Sequence, residues 1–118
     1  MNAADSPSAL CALAVEFWRL VKIHERAVSE QPPDRQPRGA AQLRYAVGRL
    51  EAILKDSGIR LITYDGGPYE PNLPVTVVNA DEVSGAAKLV VDRTIEPTLV
   101  ADGKVLTMGK VALKAESE

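Results

Sequence analysis

The stretch Gly66-Gly67-Pro68-Tyr69-Glu70-Pro71-Asn72-Leu73 decides how this 118-residue chain is organised. Its two glycines permit backbone angles that other residues avoid, and its two prolines fix φ near about −65°. Glu70 precedes a proline, so its backbone is pushed towards an extended conformation. The stretch therefore predicts a stiff, extended segment that separates a helical first half from a β-rich second half.

Two helices are predicted before this segment. After residues 1–5, which are expected to fray, Ser6-Pro7 is typical of a helix start. Apolar residues then recur with heptad-like spacing as far as Val28, which predicts a helix over residues 7–29. A proline-rich loop is predicted at residues 31–38, followed by a second helix over residues 39–57. Gly58 suits a left-handed helix end, and Gly48 inside the helix is expected to allow close helix approach.

The apolar positions of the two helices predict a helical hairpin that pairs with the hairpin of a second copy of the chain. Because a hairpin buries only one side of each helix, the wide apolar faces favour a four-helix bundle in a homodimer. The alternative is that both helices pack on the β half of their own chain. The predicted dimer interface comprises Leu10, Phe17, Val21, His24 and Val28 of the first helix and Leu43, Val47, Leu50 and Leu54 of the second.

After Gly58 the pattern changes to short β-branched runs. Strands are predicted at residues 59–64, 74–78, 88–95, 98–100, 105–107 and 110–113, with a loop at 79–85 and a loose tail from 114. Asp102-Gly103 is a hairpin turn signal. The fold class is therefore α+β, with a helical dimerisation domain at residues 1–57 and a small, partner-binding all-β domain at residues 58–118.

Composition narrows the possible functions. The formal net charge is −2 and only 4% of residues are aromatic, which argues against nucleic-acid binding. One cysteine and one histidine cannot form a disulfide or a structural zinc site. The longest apolar run is too short to span a bilayer and lacks the basic region of a signal peptide. We therefore expect a cytoplasmic protein that binds no membrane, metal or cofactor.

No group in the sequence predicts catalysis. His24 lies on the helix seam without a nucleophile partner, which favours a packed interface histidine. Cys11 lacks a neighbouring base and is expected to be a small buried side chain. The loop carboxylates Asp65, Glu70, Asp81 and Glu82 do not match a calcium loop and are expected to be solvated. The chain is therefore expected not to be an enzyme but to act through its surfaces.

Several short motifs follow one another in an order that is typical of one protein family. Pro68-Tyr69-Glu70-Pro71-Asn72-Leu73 resembles the phrase "P-F/L-D-P-N-x", and Gly58 with the following strand resembles the end of the second bundle helix, in the GrpE family. Members of this family are the nucleotide exchange factors of DnaK-type heat-shock chaperones. Further resemblances are Glu25-Arg26-Ala27-Val28, Asn79-Ala80-Asp81-Glu82-Val83, Asp102-Gly103-Lys104-Val105-Leu106 and Lys110-Val111-Ala112-Leu113. The family's His-Glu-Ala is replaced by Leu73-Pro74-Val75-Thr76, and its long N-terminal helix has no counterpart, so the resemblance implies a truncated form.

The resemblance implies a co-chaperone that acts in protein folding and the stress response. A dimer would press one β lobe against the nucleotide-binding domain of a DnaK-type chaperone and so promote ADP release. Arg26, Tyr69 and Leu113 would contact the chaperone. Tyr69 and Leu113 could instead belong to the β core, and Arg26 could be an ordinary solvated charge. The second functional hypothesis is a dimeric adaptor or structural module, derived from the family, that binds another partner without exchange activity.

Overall fold

The computed structural model describes residues 6–116 as two helices followed by six short strands. The chain divides into two compact units, Met1–Arg60 and Leu61–Glu118. The α+β class is thus confirmed. The predicted frayed segment, residues 1–5, lies outside the described residues.

The first unit is a helical hairpin. Helix α1 spans Ser6–Ser29 and helix α2 spans Gln36–Asp56. The second helix begins three residues before the predicted Gly39, because Pro37 lies in its first turn, where a missing N–H leaves no helix bond unmade. Gly58 has a φ of 74° and ends the helix as predicted. The buried side chains of this unit are Cys11, Ala14, Val15, Trp18, Val21, Leu50, Leu54 and Ile59.

A glycine allows close approach of the two helices at the turn of the hairpin, not at its middle. A Cβ built on Gly39 would lie 2.8 Å from the Cγ2 of Val28, so glycine there lets the start of α2 approach the end of α1. The predicted role for Gly48 is wrong within this hairpin, because no atom of α1 lies within 4 Å of the position its Cβ would take. Gly48 instead lines an open groove of about 570 Å³ between the helices.

The second unit contains two three-stranded sheets. Strand β1 spans Arg60–Ile62, β2 Val75–Val77, β3 Leu89–Glu96, β4 Thr98–Ala101, β5 Lys104–Thr107 and β6 Gly109–Ala115. One sheet has the order β1-β4-β5 and the other β2-β6-β3. Strand β2 runs parallel to β6, whereas β3 and β6 are antiparallel. The Asp102-Gly103 turn between β4 and β5 has φ values of 52° and 72°, as this hairpin signal predicts.

Two segments of this unit differ from the sequence predictions. The predicted loop at 79–85 contains a 3₁₀ helix at Ala80–Val83, closed by the Glu82 amide donating to the Asn79 carbonyl at 3.0 Å. Strand β6 continues to Ala115, so the start of the predicted loose tail is paired with β3. The core of the unit is formed by Val91, Val111 and Leu113, on the paired strands β3 and β6.

Candidate partner-binding surface

The Gly66–Tyr69 backbone forms an extra antiparallel pairing along strand β3. The Gly66 amide donates to the Val91 carbonyl at 2.8 Å, and the Val91 amide donates to the Gly67 carbonyl at 2.9 Å. The Tyr69 amide donates to the Leu89 carbonyl at 3.0 Å. Gly66 has a φ of 80°, which a residue with a side chain rarely adopts. These three hydrogen bonds attach the backbone of residues 66–69, and with it Tyr69, to strand β3.

The extended path predicted for residues 69–73 is wrong beyond Tyr69. The Leu73 amide donates to the Glu70 carbonyl at 3.1 Å, so residues 70–73 close a turn. Pro71 is the second residue of this turn, a position that its fixed φ favours. Glu70, Pro71 and Asn72 are exposed, and the turn therefore presents one carboxylate and one amide beside Tyr69.

Tyr69 and Leu113 meet in the same cluster but differ in exposure. Leu113 is only 4% exposed and packs with Val91 and Val111. Tyr69 is half-buried and packs against that cluster from its edge. Half-buried Tyr69 offers some surface to a partner, whereas Leu113 offers almost none and belongs to the cluster on which Tyr69 packs.

Arg26 lies in the other unit, in the last turn of α1. Its side chain is exposed, and its carbonyl accepts a hydrogen bond from the Ser29 hydroxyl at 2.6 Å. The guanidinium makes no ion pair with any residue that the structure describes. Arg26 can thus pair with a carboxylate of another protein. An ordinary solvated arginine would have the same exposure and the same lack of an ion pair.

The nine predicted dimer residues fall into three levels of burial. Val21, Leu50 and Leu54 are buried within the first unit. Leu10, Val28, Leu43 and Val47 are half-buried, whereas Phe17 and His24 are exposed. Five further large apolar side chains of the hairpin are exposed, namely Leu13, Leu20, Ile23, Tyr45 and Ile53. A wide apolar surface therefore remains on the hairpin after its two helices have packed.

Polar groups that the sequence did not single out hold the second unit together. The fully buried Thr98 Oγ1 donates to the Pro74 carbonyl at 3.0 Å. It accepts from the Tyr64 hydroxyl at 2.9 Å and from the Gly109 amide at 3.2 Å. One donated and two accepted bonds use the full capacity of a hydroxyl. A threonine in a β-branched run carries no sequence signal for such a role.

Asn79 is a second polar residue that stabilises this unit and that the sequence did not single out. Its Nδ2 donates to the Leu113 carbonyl and its Oδ1 accepts from the Leu113 amide, both at 2.8 Å. The Asn79 side chain thereby makes the kind of paired hydrogen bonds that a strand backbone would make beyond the end of β2, and it holds Leu113 in place. Asp65, predicted to be solvated, also has a structural contact, because its Oδ1 accepts from the Thr94 amide at 3.2 Å.

The described part of the chain offers no arrangement for metal chemistry. Among residues 6–116, no group of three or more His, Cys, Asp or Glu side chains is placed to hold a metal ion. Cys11 is a free, buried thiol. In the same described range, neither helix is long and apolar enough to cross a membrane.

Comparisons of the chain with protein families, with curated proteins and with solved structures found no match.

Proposed function

We propose that the protein is a GrpE-like co-chaperone that promotes ADP release from a DnaK-type chaperone in the cytoplasm. The observation that carries the proposal is the Pro68–Leu73 phrase that resembles the family. Its backbone is bonded to strand β3 up to Tyr69, and its exposed turn follows at once. A stiff, surface-exposed segment of this kind is suited to pressing on another protein without deforming.

The proposed activity requires no chemistry in this chain. A protein that binds the open form of a nucleotide-binding domain more tightly than the closed form shifts the population towards the open form. Coupling between two ligands of one protein typically changes affinity about 5- to 150-fold. The relevant property is therefore a rigid contact surface, which the three backbone bonds between residues 66–69 and strand β3 support.

We assign different roles to the three proposed contact residues. Tyr69 would touch the chaperone, because this residue is only half-buried. Leu113 would position Tyr69, since it is buried in the cluster on which Tyr69 packs. Arg26 would pair with a carboxylate on the chaperone from the other unit of the chain.

A homodimer through the hairpin forms the second part of the proposal. Leu13, Phe17 and Leu20 are spaced 4-3 along α1, and on a helix of 3.6 residues per turn they lie beside the buried Val21. In antiparallel packing Ile53 of α2 falls on the same side of the hairpin. Covering this side with the same side of a second copy would complete a four-helix bundle.

Release of a fluorescent ADP analogue from a DnaK-type chaperone, followed by stopped flow, tests the exchange proposal. We expect the wild-type protein to accelerate release by on the order of 5- to 150-fold. Tyr69→Asp should abolish most of this effect, because the carboxylate would face an apolar contact. Leu106→Asp is the matched control, since Leu106 is an exposed apolar residue of the same unit.

A folding check accompanies this experiment, because Tyr69 also packs on the core. Glu70→Lys alters only the exposed turn beside Tyr69 and should lower exchange while the circular dichroism spectrum stays unchanged. If saturating wild-type protein leaves the release rate unaltered, the exchange proposal is wrong.

The second candidate function is a dimeric adaptor without exchange activity. The burial of Leu113 favours it, because one of the three residues carried over from the family offers almost no contact surface. Binding of the protein to the chaperone with no change in ADP release would support the adaptor and exclude exchange.

A further inference from the structure

The outward face of α2 carries a row of exposed polar and aromatic side chains, Arg38, Gln42, Tyr45 and Arg49, which we call the arginine–tyrosine stripe. Their 4-3-4 spacing places them on one side of the helix. The buried Leu50 and Leu54 lie on the opposite side, towards α1. Tyr45 is 71% exposed, the most exposed large apolar side chain of the described residues.

The polar groups of the stripe are unpaired within the described part of the chain. Neither arginine side chain, nor the Tyr45 hydroxyl, makes a hydrogen bond or ion pair with any residue that the structure describes. Between residues 36 and 50 the helix contains three arginines and no Asp or Glu. Arg38 lies in the first turn, where the helix dipole disfavours a cation. Arg38 is therefore not stabilised by the end of its own helix, and the polar groups of the stripe can pair with another molecule.

The chemistry of the stripe defines what it would bind. Arg38 and Arg49 are eleven positions apart, or roughly 16 Å along the helix. A guanidinium pairs best with a carboxylate through two parallel hydrogen bonds. Tyrosine and arginine are the residue types that dominate binding energy at protein interfaces, where a tyrosine ring fills an apolar notch.

We propose that the arginine–tyrosine stripe is a second contact surface for the partner protein, separate from Tyr69. It fits an acidic protein surface that offers carboxylates roughly 16 Å apart and an apolar notch between them. The inference rests on the proposed function in one respect, namely that the partner is the nucleotide-binding domain of a DnaK-type chaperone. A nucleic acid is the less favoured anion, because the chain has a formal net charge of −2 and the stripe has a single aromatic ring.

The test measures the affinity of the full-length protein for the purified nucleotide-binding domain by titration calorimetry. Two variants alter the stripe, the double charge reversal Arg38→Glu/Arg49→Glu and the single change Tyr45→Ser. The control is Arg60→Glu/Lys104→Glu, which changes the net charge equally at exposed positions of strands β1 and β5, in the sheet that does not carry Tyr69. A labelled single-stranded oligonucleotide serves as the competing probe.

We expect each stripe variant to weaken binding about tenfold or more, and the control to weaken it less than threefold. Wild-type binding should also fall as the salt concentration rises. Glutamate in the first turn complements the helix dipole, so the double variant should keep or raise the thermal stability of the helices while it loses affinity. That combination separates a contact role from a structural one.

Three results would overturn the inference. If the wild-type protein binds the domain and the stripe variants bind equally well, the stripe is not a contact, and the proposed function survives. If the control loses as much affinity as the stripe variants, only general electrostatics is at work. If the domain does not bind at all, or the oligonucleotide binds more tightly in a stripe-dependent way, both the acidic partner and the chaperone assignment are wrong.

Discussion

Thr98 and Gly109 make a close, buried contact in the second unit. Thr98 starts strand β4 and Gly109 starts strand β6, so each stands where the chain passes from one sheet to the other. The Gly109 amide reaches both the Pro74 carbonyl at 3.1 Å and the Thr98 hydroxyl at 3.2 Å. Such close approach leaves no room for a side chain at Gly109.

Substitution of two glycines by alanine should have opposite effects on stability. In Gly109→Ala the new methyl group would lie 2.6 Å from Thr98 Oγ1 and 2.8 Å from the Glu96 carbonyl oxygen, so we expect a loss of about 1–3 kcal/mol. In Gly48→Ala the methyl group would meet nothing within 4 Å, and the helix should gain up to about 1 kcal/mol. Urea unfolding followed by circular dichroism measures both. Equal destabilisation by the two changes would contradict the close packing at Gly109.

At the scale of the elements, Gln36 joins the two helices. Its Nε2 donates to the Ser29 carbonyl at 3.2 Å and to the Gln31 carbonyl at 2.8 Å, and so binds the end of α1 from the first residue of α2. In Gln36→Glu the carboxylate could donate to neither carbonyl, and the hairpin turn should lose about 0.5–1.5 kcal/mol.

The control for this change is Gln42→Glu, because Gln42 lies exposed on the same helix without such bonds. Thermal unfolding monitored by the helical circular dichroism signal should show a lower midpoint for Gln36→Glu than for Gln42→Glu. An unchanged midpoint for Gln36→Glu would mean that the turn does not depend on this side chain.

Local signals in the sequence predicted the elements but not how they pair. Gly58 and the Asp102-Gly103 turn adopt the left-handed angles expected of them, because those angles are set by the residues themselves. The parallel pairing of β2 with β6 joins residues 34 positions apart, such as Val75 and Gly109, and no local pattern encodes it. The turn at Glu70 was missed because a proline at its second position suits an extended path equally well.

At the scale of the whole molecule, the same limit applies to the candidate site. Tyr69 and Leu113 share one cluster, and the burial of Leu113 follows from the pairing of β3 with β6 and from the hydrogen bonds of Asn79, which no local pattern encodes. The sequence itself shows that charge is distributed differently in the two units. Residues 61–87 contain four carboxylates and no Lys or Arg, whereas residues 36–50 contain three arginines and no carboxylate. What each charged surface binds depends on partners that the chain does not encode.

The oligomeric state offers the strongest whole-molecule prediction. Leu13 is 67% and Leu20 53% exposed on one side of α1, although full burial of a leucine is worth about 1.5–3 kcal/mol. We expect the wild-type protein to sediment at tens of micromolar with twice its chain mass of 12.7 kDa. Leu13→Gln/Leu20→Gln should sediment as a monomer with its helices intact, since glutamine is a good helix former and four apolar contacts per dimer are lost.

The matched control is Leu106→Gln/Met108→Gln, which removes two exposed apolar side chains from the second unit instead. If association depends on the hairpin, this control remains a dimer, because neither residue lies on α1 or α2. If both double variants become monomers, the second unit contributes to the interface, and a bundle of four helices is not sufficient to explain association. A wild-type monomer at these concentrations would exclude the bundle altogether, and the exposed leucines of α1 would then require a different partner.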